Sequence, residues 1–542
     1  MAPTAFARAL PGLAAVPGRV LSWLLLVAVA FATRPLMPVD ETRYVSVAWE
    51  MWQRGSFLVP YLNGVPYSHK PPLLFWLIQL GWWLFGVNSW WPRLLPSLFA
   101  LANLALTASL ASRLFGPARG ERELAPLVLS GFFLWTFFTT TLTFDMMVAF
   151  FTLVVMAGLW QATHGRAAAG FALVAVGLGL GILAKGPVLL LLTLPALLSA
   201  PWWLSRAPEG GWGRYWLGAL AALLGAVVIA LAWAWPAGQA GGEVYRRAIF
   251  LSQTTDRLVS AEAHRQPFWF YLAILPAALF PFFFWPRFWR GLAALDRRDS
   301  GVRLALVWAL VPLLLFTLIS SKQPHYLLPL LPAVALLAAR TFSAEPREGP
   351  LADVAAPFVV LAGLGVVLAI LPWAGAIGLP GASRLPSWLG EMGPGVGLAL
   401  LVLAAVGHGY RRVRLPLVPI AASLSPILFV ALHFGVIAIA TPAYDVEPLA
   451  RSLSSFEQQG RVVGHLGPYH NQFHFAGRLR RPFEVVESRE GAAWLASHPD
   501  GVLVGYYQGE PPAELGRPDL VQPFRNRLAG VWLGSEVRSK LP

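Results

Sequence analysis

The sequence predicts a polytopic α-helical membrane protein of about 13 transmembrane helices with a small C-terminal soluble α/β domain. Three observations predict it. The 542 residues are 56% hydrophobic and 13% charged, roughly half the charged share of a soluble domain. Apolar runs of about 17–25 residues recur along the chain, the length that crosses a hydrocarbon core. Basic residues gather at nearly every second loop, the pattern of cytoplasmic loops. That pattern also accounts for the formal charge of +14 without a nucleic-acid partner. There is no cysteine, which excludes disulfides and thiolate metal sites.

Placing the N-terminus with Arg8 and Arg19 in the cytoplasm orders the spans. The first, about 20–36, reads as a retained anchor and delivers a charged, aromatic loop, 38–72, to the outside. The Trp-rich piece 73–86 is short and reads as interfacial. Spans near 91–112, 124–142, 146–163, 168–184 and 187–204 follow. Arg113, Arg119, Arg122, His164, Arg166, Arg206 and Arg214 fall inside; Asp145 and the tip Lys185-Gly186-Pro187 fall outside. A span near 215–236 opens a second outer loop, 237–267, with Arg257, Glu262 and His264. Spans near 268–285, 304–320, 327–339, 353–373, 395–410 and 416–440 complete the set. Arg287, Arg290, Arg297, Arg298 and Arg303 lie inside and Ser321-Lys322-Gln323-Pro324-His325-Tyr326 outside. The expected organisation is a transmembrane part, 1–440, with outer loops 37–90 and 237–267, and a soluble α/β part, 441–542. In the latter, 461–466 and 501–506 read as strands and 490–496 as a helix.

This topology gathers ionisable residues from distant loops at one depth and one face. They are Asp40, Glu41, Arg43, His69, Lys70, Asp145, Lys185, Arg257, Glu262, His264, Lys322, His325 and Tyr326. Charges at a membrane are costly and mark function by default. Cations beside carboxylates suit a phosphate-bearing amphiphile, with the cations on phosphate and a carboxylate as general base. Each residue also has a plainer reading. Asp145 could cap a helix, Lys70-Pro71-Pro72 could be only a turn, His264 an interface anchor, and Tyr326 part of an aromatic belt. A transporter would place its charges at mid-span in repeated halves, and neither is visible. A non-catalytic lipid-binding scaffold would need the cations and not the acids.

Asp40-Glu41-Thr42-Arg43-Tyr44, Glu50-Met51, Gly55, Pro60, Asn63-Gly64, Tyr67 and Lys70-Pro71-Pro72-Leu73 resemble the first periplasmic loop of one enzyme family. These are the bacterial aminoarabinose lipid A transferases and their protein O-mannosyltransferase relatives, membrane glycosyltransferases of the GT-C superfamily. Thr143-Phe144-Asp145, Ala184-Lys185-Gly186, His264-Arg265-Gln266-Pro267-Phe268-Trp269 and Lys322-Gln323-Pro324-His325-Tyr326 continue the likeness in order over about 34–340. The resemblance implies transfer of a sugar from polyprenyl phosphate to a lipid, glycan or protein acceptor by inverting displacement. It implies no nucleotide cofactor, a bacterial inner membrane and a periplasmic site; the oligomeric state is left open by the sequence, with a monomer favoured.

On that resemblance Asp40 is the catalytic carboxylate, with Glu41 and Asp145 as further catalytic acids in the same pocket. Lys70, Arg257, Tyr326 and Lys185 hold the carrier phosphate, and Arg43, Tyr44, Tyr67, Lys322 and His325 line the substrate pocket. His69 stands where the family often has an acid. With His264 it forms the expected site for a divalent metal such as zinc, magnesium or manganese. The acceptor is expected to be lipid A or another envelope molecule, with protein or polysaccharide as the alternative.

Overall fold

A computed structural model describes residues 10–116, 120–252, 265–378 and 385–539. The first described helix is α1 (Leu10–Thr33), followed after a short connection by α2 (Asp40–Arg54). The sequence predicts a loop over this second segment. It is helical because two acids stand in its first turn, where the helix dipole favours them. It ends where Gly55 takes a left-handed φ of 61° and its N–H reaches Met51 and Trp52 carbonyls. Next comes the hairpin of β1 (Tyr61–Leu62) and β2 (Val65–Pro66), turned by Asn63 and Gly64, both at positive φ. The apolar α3 (Leu73–Phe85) follows, then α4 (Trp90–Phe115).

Eight helices among the described residues are long and apolar enough to span a bilayer by length and composition, and four more apolar helices are shorter. The expected spans 124–142, 187–204 and 268–285 are each interrupted. The first divides into α5 (Glu121–Gly131) and α6 (Phe133–Phe138), with Thr139–Phe144 left non-helical. The second divides at Ser199 and the third after Ala278. In lipid such breaks survive only where protein covers the backbone, and here they do: Phe133 N–H bonds the Phe280 carbonyl at 3.0 Å.

The core is organised about α7 (Asp145–Thr163), of whose nineteen residues all but Phe150, Val154 and Gln161 are buried. It packs along α8 (Ala167–Lys185) at a distance only small residues allow. A Cβ on Gly170 would stand 2.3 Å from the Ala162 nitrogen. At the end of α8, Gly186 at φ 82° turns the chain into Pro187 and α9 (Val188–Leu198), leaving Lys185 on the last helical turn.

Two strands at the other end, β3 (Glu348–Pro350) and β4 (Arg414–Pro416), pair antiparallel. Beyond the last apolar helix the chain builds a five-stranded sheet. Its order is β6 (Glu484–Val486), β5 (Val463–Leu466), β7 (Val502–Tyr507), β9 (Arg527–Leu533), β8 (Leu520–Phe524). The first three strands run parallel, β9 runs antiparallel to β7, and β8 pairs antiparallel with β9 and so shares the direction of the first three. Two strands and the helix Gly491–Ser497 fall where the sequence indicated them; β6, β8 and β9 were not read from it.

Candidate active site

Helix α2 presents three faces, and its residues divide among them by helical spacing. Asp40, Arg43 and Tyr44 share one. The Arg43 guanidinium donates to Asp40 Oδ1, and the Tyr44 hydroxyl lies 3.5 Å from the same oxygen. The Asp40 side chain is nevertheless 56% exposed, so its carboxylate is accessible to a substrate. Burial pushes the Tyr44 phenol well above its ordinary pKa, with Asp40 adding to the effect, so Tyr44 stays a neutral donor.

Glu41 points elsewhere. Its carboxylate accepts two bonds from Arg34, at 2.6 and 3.1 Å, and the backbone N–H groups of Met37 and Leu142 at 2.8 and 2.7 Å. Arg34 also donates to the Thr140 carbonyl at 2.7 Å. The sequence predicts Glu41 as a catalytic acid beside Asp40. In the structure it is buried and its oxygens are committed to joining α1, α2 and the 139–144 segment.

That segment leads to Asp145, the first residue of α7. Asp145 does not cap its helix; Lys185 donates to its Oδ1 at 2.6 Å, and His325 Nε2 stands 3.7 Å from its Oδ2. Lys185 Nζ also sits 4.5 Å from the centroid of the Tyr326 ring. His325 and Tyr326 begin the next helical segment, after Gln323. Asp145, Lys185, Lys70 and Asp40 all lie within electrostatic reach of His325. An aromatic seam connects the two halves. Tyr44 meets Phe144 edge-on at 4.8 Å, and Lys70 Nζ stands 5.4 Å from the centroid of the same Phe144 ring. Tyr67 packs on Phe75 and lies 5.2 Å from His69, ring to ring.

The structure therefore brings together Asp40, Arg43, Tyr44, Lys70, Asp145, Lys185, His325 and Tyr326, contributed by five chain segments. Lys322 lies nearby but its ammonium is buried and donates to the Gln266 carbonyl at 3.1 Å, holding 265–267 against the 320–321 turn. Arg257, Glu262 and His264 lie outside the described residues. Among the described residues no three histidine or acidic side chains converge as a metal site would require. His69 is thus the one described member of the expected metal pair.

The C-terminal sheet region supplies what sequence reasoning missed. Segment 471–483 is clamped along the third face of α2. Ser46 donates to the Asn471 carbonyl at 2.7 Å and accepts from Phe475 N–H at 3.1 Å; Trp49 donates to the Leu479 carbonyl at 2.9 Å. The hairpin tip joins the clamp, with Asn63 exchanging bonds with both backbone groups of Phe483. Glu50, whose pKa burial raises despite the Gly64 N–H it accepts, braces the same turn. Only the period of Ser46, Trp49 and Gln53 on α2 could have signalled this contact. A separate cavity of about 90 Å³, lined by Thr42, Arg93, Arg478 and Glu447, lies on the side of α2 opposite Asp40.

The arrangement offers fixed positive charge for a phosphate next to an accessible carboxylate, at the rim of an apolar bundle. Comparison with known proteins agrees with it. A family model described as dolichyl-phosphate-mannose-protein mannosyltransferase matches residues 69–235. The chain is 30% identical over 406 residues to the undecaprenyl phosphate-alpha-4-amino-4-deoxy-L-arabinose arabinosyl transferase of Erwinia tasmaniensis, covering 69% of each. To arabinosyl transferase 1 of the same description from Pseudomonas fluorescens it is 29% identical, over 60% of this chain and 57% of that one. The chain thus spans less than two thirds of that relative's length. In structure it is similar to ArnT from Cupriavidus metallidurans in the apo state, with a TM-score of 0.71, 20% identity and coverage of 96% and 97% of the two chains. The same protein bound to undecaprenyl phosphate superposes with a TM-score of 0.69. The fold is therefore that of the ArnT structures.

Proposed function

The chain belongs to the family of undecaprenyl phosphate-aminoarabinose arabinosyl transferases, and from that premise we propose that it moves a sugar from undecaprenyl phosphate to an envelope acceptor of the lipid A type. The sugar is 4-amino-4-deoxy-L-arabinose on the description of its relatives. The observation that carries the reading is the accessible Asp40 carboxylate beside the Lys70, Lys185 and Tyr326 group. An acceptor oxygen attacks the anomeric carbon while the carrier phosphate leaves from the opposite side, inverting the centre. Asp40 orients the attacking hydroxyl and takes its proton. Lys70 and Lys185, with Arg257 from the second outer loop, hold the departing phosphate, and Tyr326 supports Lys185 from beneath. Their charge is fixed before the reaction starts, which is why it stabilises the leaving group more than solvent would. Asp145 holds Lys185 in place through its 2.6 Å hydrogen bond.

The distribution of basic loops supports a periplasmic site and C-terminal region in a bacterial inner membrane. A divalent ion on His69 and His264 is the finer proposal for the metal. It has one described ligand, and no step above passes through it. The mannosyltransferase family model over 69–235 favours one second reading, transfer to protein.

The test is the full-length chain in lipid nanodiscs with undecaprenyl-phosphate-linked aminoarabinose and lipid A. Mass spectrometry should find one added aminoarabinose on lipid A and released undecaprenyl phosphate. Sugar appearing on protein instead would favour the second reading. Carrier binding without transfer to any acceptor would leave a lipid-binding scaffold.

A further inference from the structure

The hydrogen bonds that fasten segment 471–483 to α2 also fix what precedes them. Ser46, which receives the Asn471 end of that segment, is one helical turn beyond Arg43. Asn471 sits at a left-handed φ of 56°, so the chain turns sharply there, and the next residue back is His470. His470 is therefore delivered to the Asp40–Arg43 end of α2, and both of those charged groups act on its imidazole. Its side chain is exposed and makes no hydrogen bond to a described residue; only its backbone N–H is used, toward Gln472 at 3.2 Å. The same region's other histidines on this side are committed, His474 between the Tyr469 hydroxyl and the Arg481 carbonyl, His465 to Gly467.

We propose that His470 is a positioning residue for the acceptor, contributed to the site by the C-terminal region and acting with Arg43 on either side of Asp40. The inference rests on the assignment of Asp40 as the catalytic carboxylate. The two halves of the site face different surroundings. Lys70 before α3, Lys185 at the end of α8 and Tyr326 gather around the Phe144 side of the Tyr44–Phe144 ring pair, at the ends of the apolar helices. His470 addresses Asp40 from the solvent-open side, where the carboxylate is exposed. A carrier lipid enters from the bilayer; the acceptor's polar headgroup has the open side. An acceptor oxygen within reach of Asp40 would there find an imidazole and a guanidinium to hydrogen-bond. Partial burial, then Arg43, lower the imidazole pKa while Asp40 opposes them. The ring is thus neutral near pH 7, and serves as donor and acceptor together.

The experiment compares His470→Ala and His470→Gln with wild type in the full-length chain, in nanodiscs, varying lipid A at saturating donor and donor at saturating lipid A. We expect His470→Ala to raise the acceptor KM about tenfold, the loss of one good hydrogen bond. Donor KM and Tm should stay at wild-type values, and His470→Gln, which keeps a donor and an acceptor, should recover most of the loss. An unchanged acceptor KM in an active enzyme would overturn the inference alone. Equal rises in both KM values with a lowered Tm would reduce His470 to a structural role. A wild-type enzyme that never modifies lipid A would remove the functional reading, and this inference with it.

Discussion

Asp40 and Glu41 are chain neighbours, each facing an arginine, and the two pairs have opposite surroundings. The Arg34–Glu41 pair is taken out of water, its side chains 5% and 3% exposed, and the carboxylate receives two backbone N–H groups as well. Asp40 shares its arginine along a single helical turn and keeps more than half its surface open. A buried ion pair is retained only when its remaining bonds are made, and Glu41 meets that condition by binding three chain segments into one corner. Asp40 leaves capacity for a substrate. Two carboxylates one residue apart thus divide the labour of structure and chemistry, because a helix turns neighbours by about 100°.

The sharpest way to break this contrast is Asp40→Asn. It removes a base while keeping shape, so transfer should fall by about 10²- to 10⁴-fold with Tm and carrier binding unchanged. Turnover at the wild-type rate would return Asp40 to the solvated surface. Glu41→Gln should do the reverse, leaving Arg34 buried without its counter-charge and removing about 3–5 kcal/mol of stability. Its signature is a lowered Tm and yield, with carrier binding kept by whatever folds. A variant that melts like wild type yet cannot turn over would make Glu41 catalytic and erase the distinction.

The third prediction concerns the remaining face of α2. Burial pushes the His474 pKa down to about 4, the bond to the Arg481 carbonyl opposing it, and burial likewise lowers His465 to about 4. A histidine whose folded pKa lies below its unfolded value near 6.5 binds more protons unfolded. Its contribution is complete above pH 6.5 and is lost as pH falls toward 4, by about 3 kcal/mol per residue. Hydrogen exchange across 467–483 should therefore speed up between pH 6.5 and 4.5 at constant intrinsic rate. Protection that does not change with pH would show that the clamp on α2 is independent of these histidines.

Much of the site was legible because membrane topology is written in composition. Lys70, Asp145, Lys185, His325 and Tyr326 come from distant loops, and the alternation of basic clusters alone assigned them to one face. Their meeting in the structure follows from that common depth. The separation of Glu41 from Asp40 was not legible while 38–72 was read as loop, since only helical phase divides the two. The acid-first turn and Gly55 were available as signals for that helix. The interrupted spans were hidden for another reason: hydropathy reports apolar length and cannot register a break whose backbone groups are satisfied by a neighbouring helix, as Phe133 is by Phe280.

The sequence by itself determined the solvent, the order of the apolar segments, and the set of charged groups expected to share one surface. It could do so because transfer of side chains into hydrocarbon is a local, additive property of each segment. Only the tertiary structure decided which member of that set is free to act. Burial of Glu41, the pairing of Asp145 with Lys185, the use of Lys322 as a latch and the delivery of His470 depend on contacts between residues as many as 430 positions apart, the separation of Trp49 and Leu479. No local property of either partner carries such a contact, because hydrogen bonding and desolvation are settled by what finally packs beside each group.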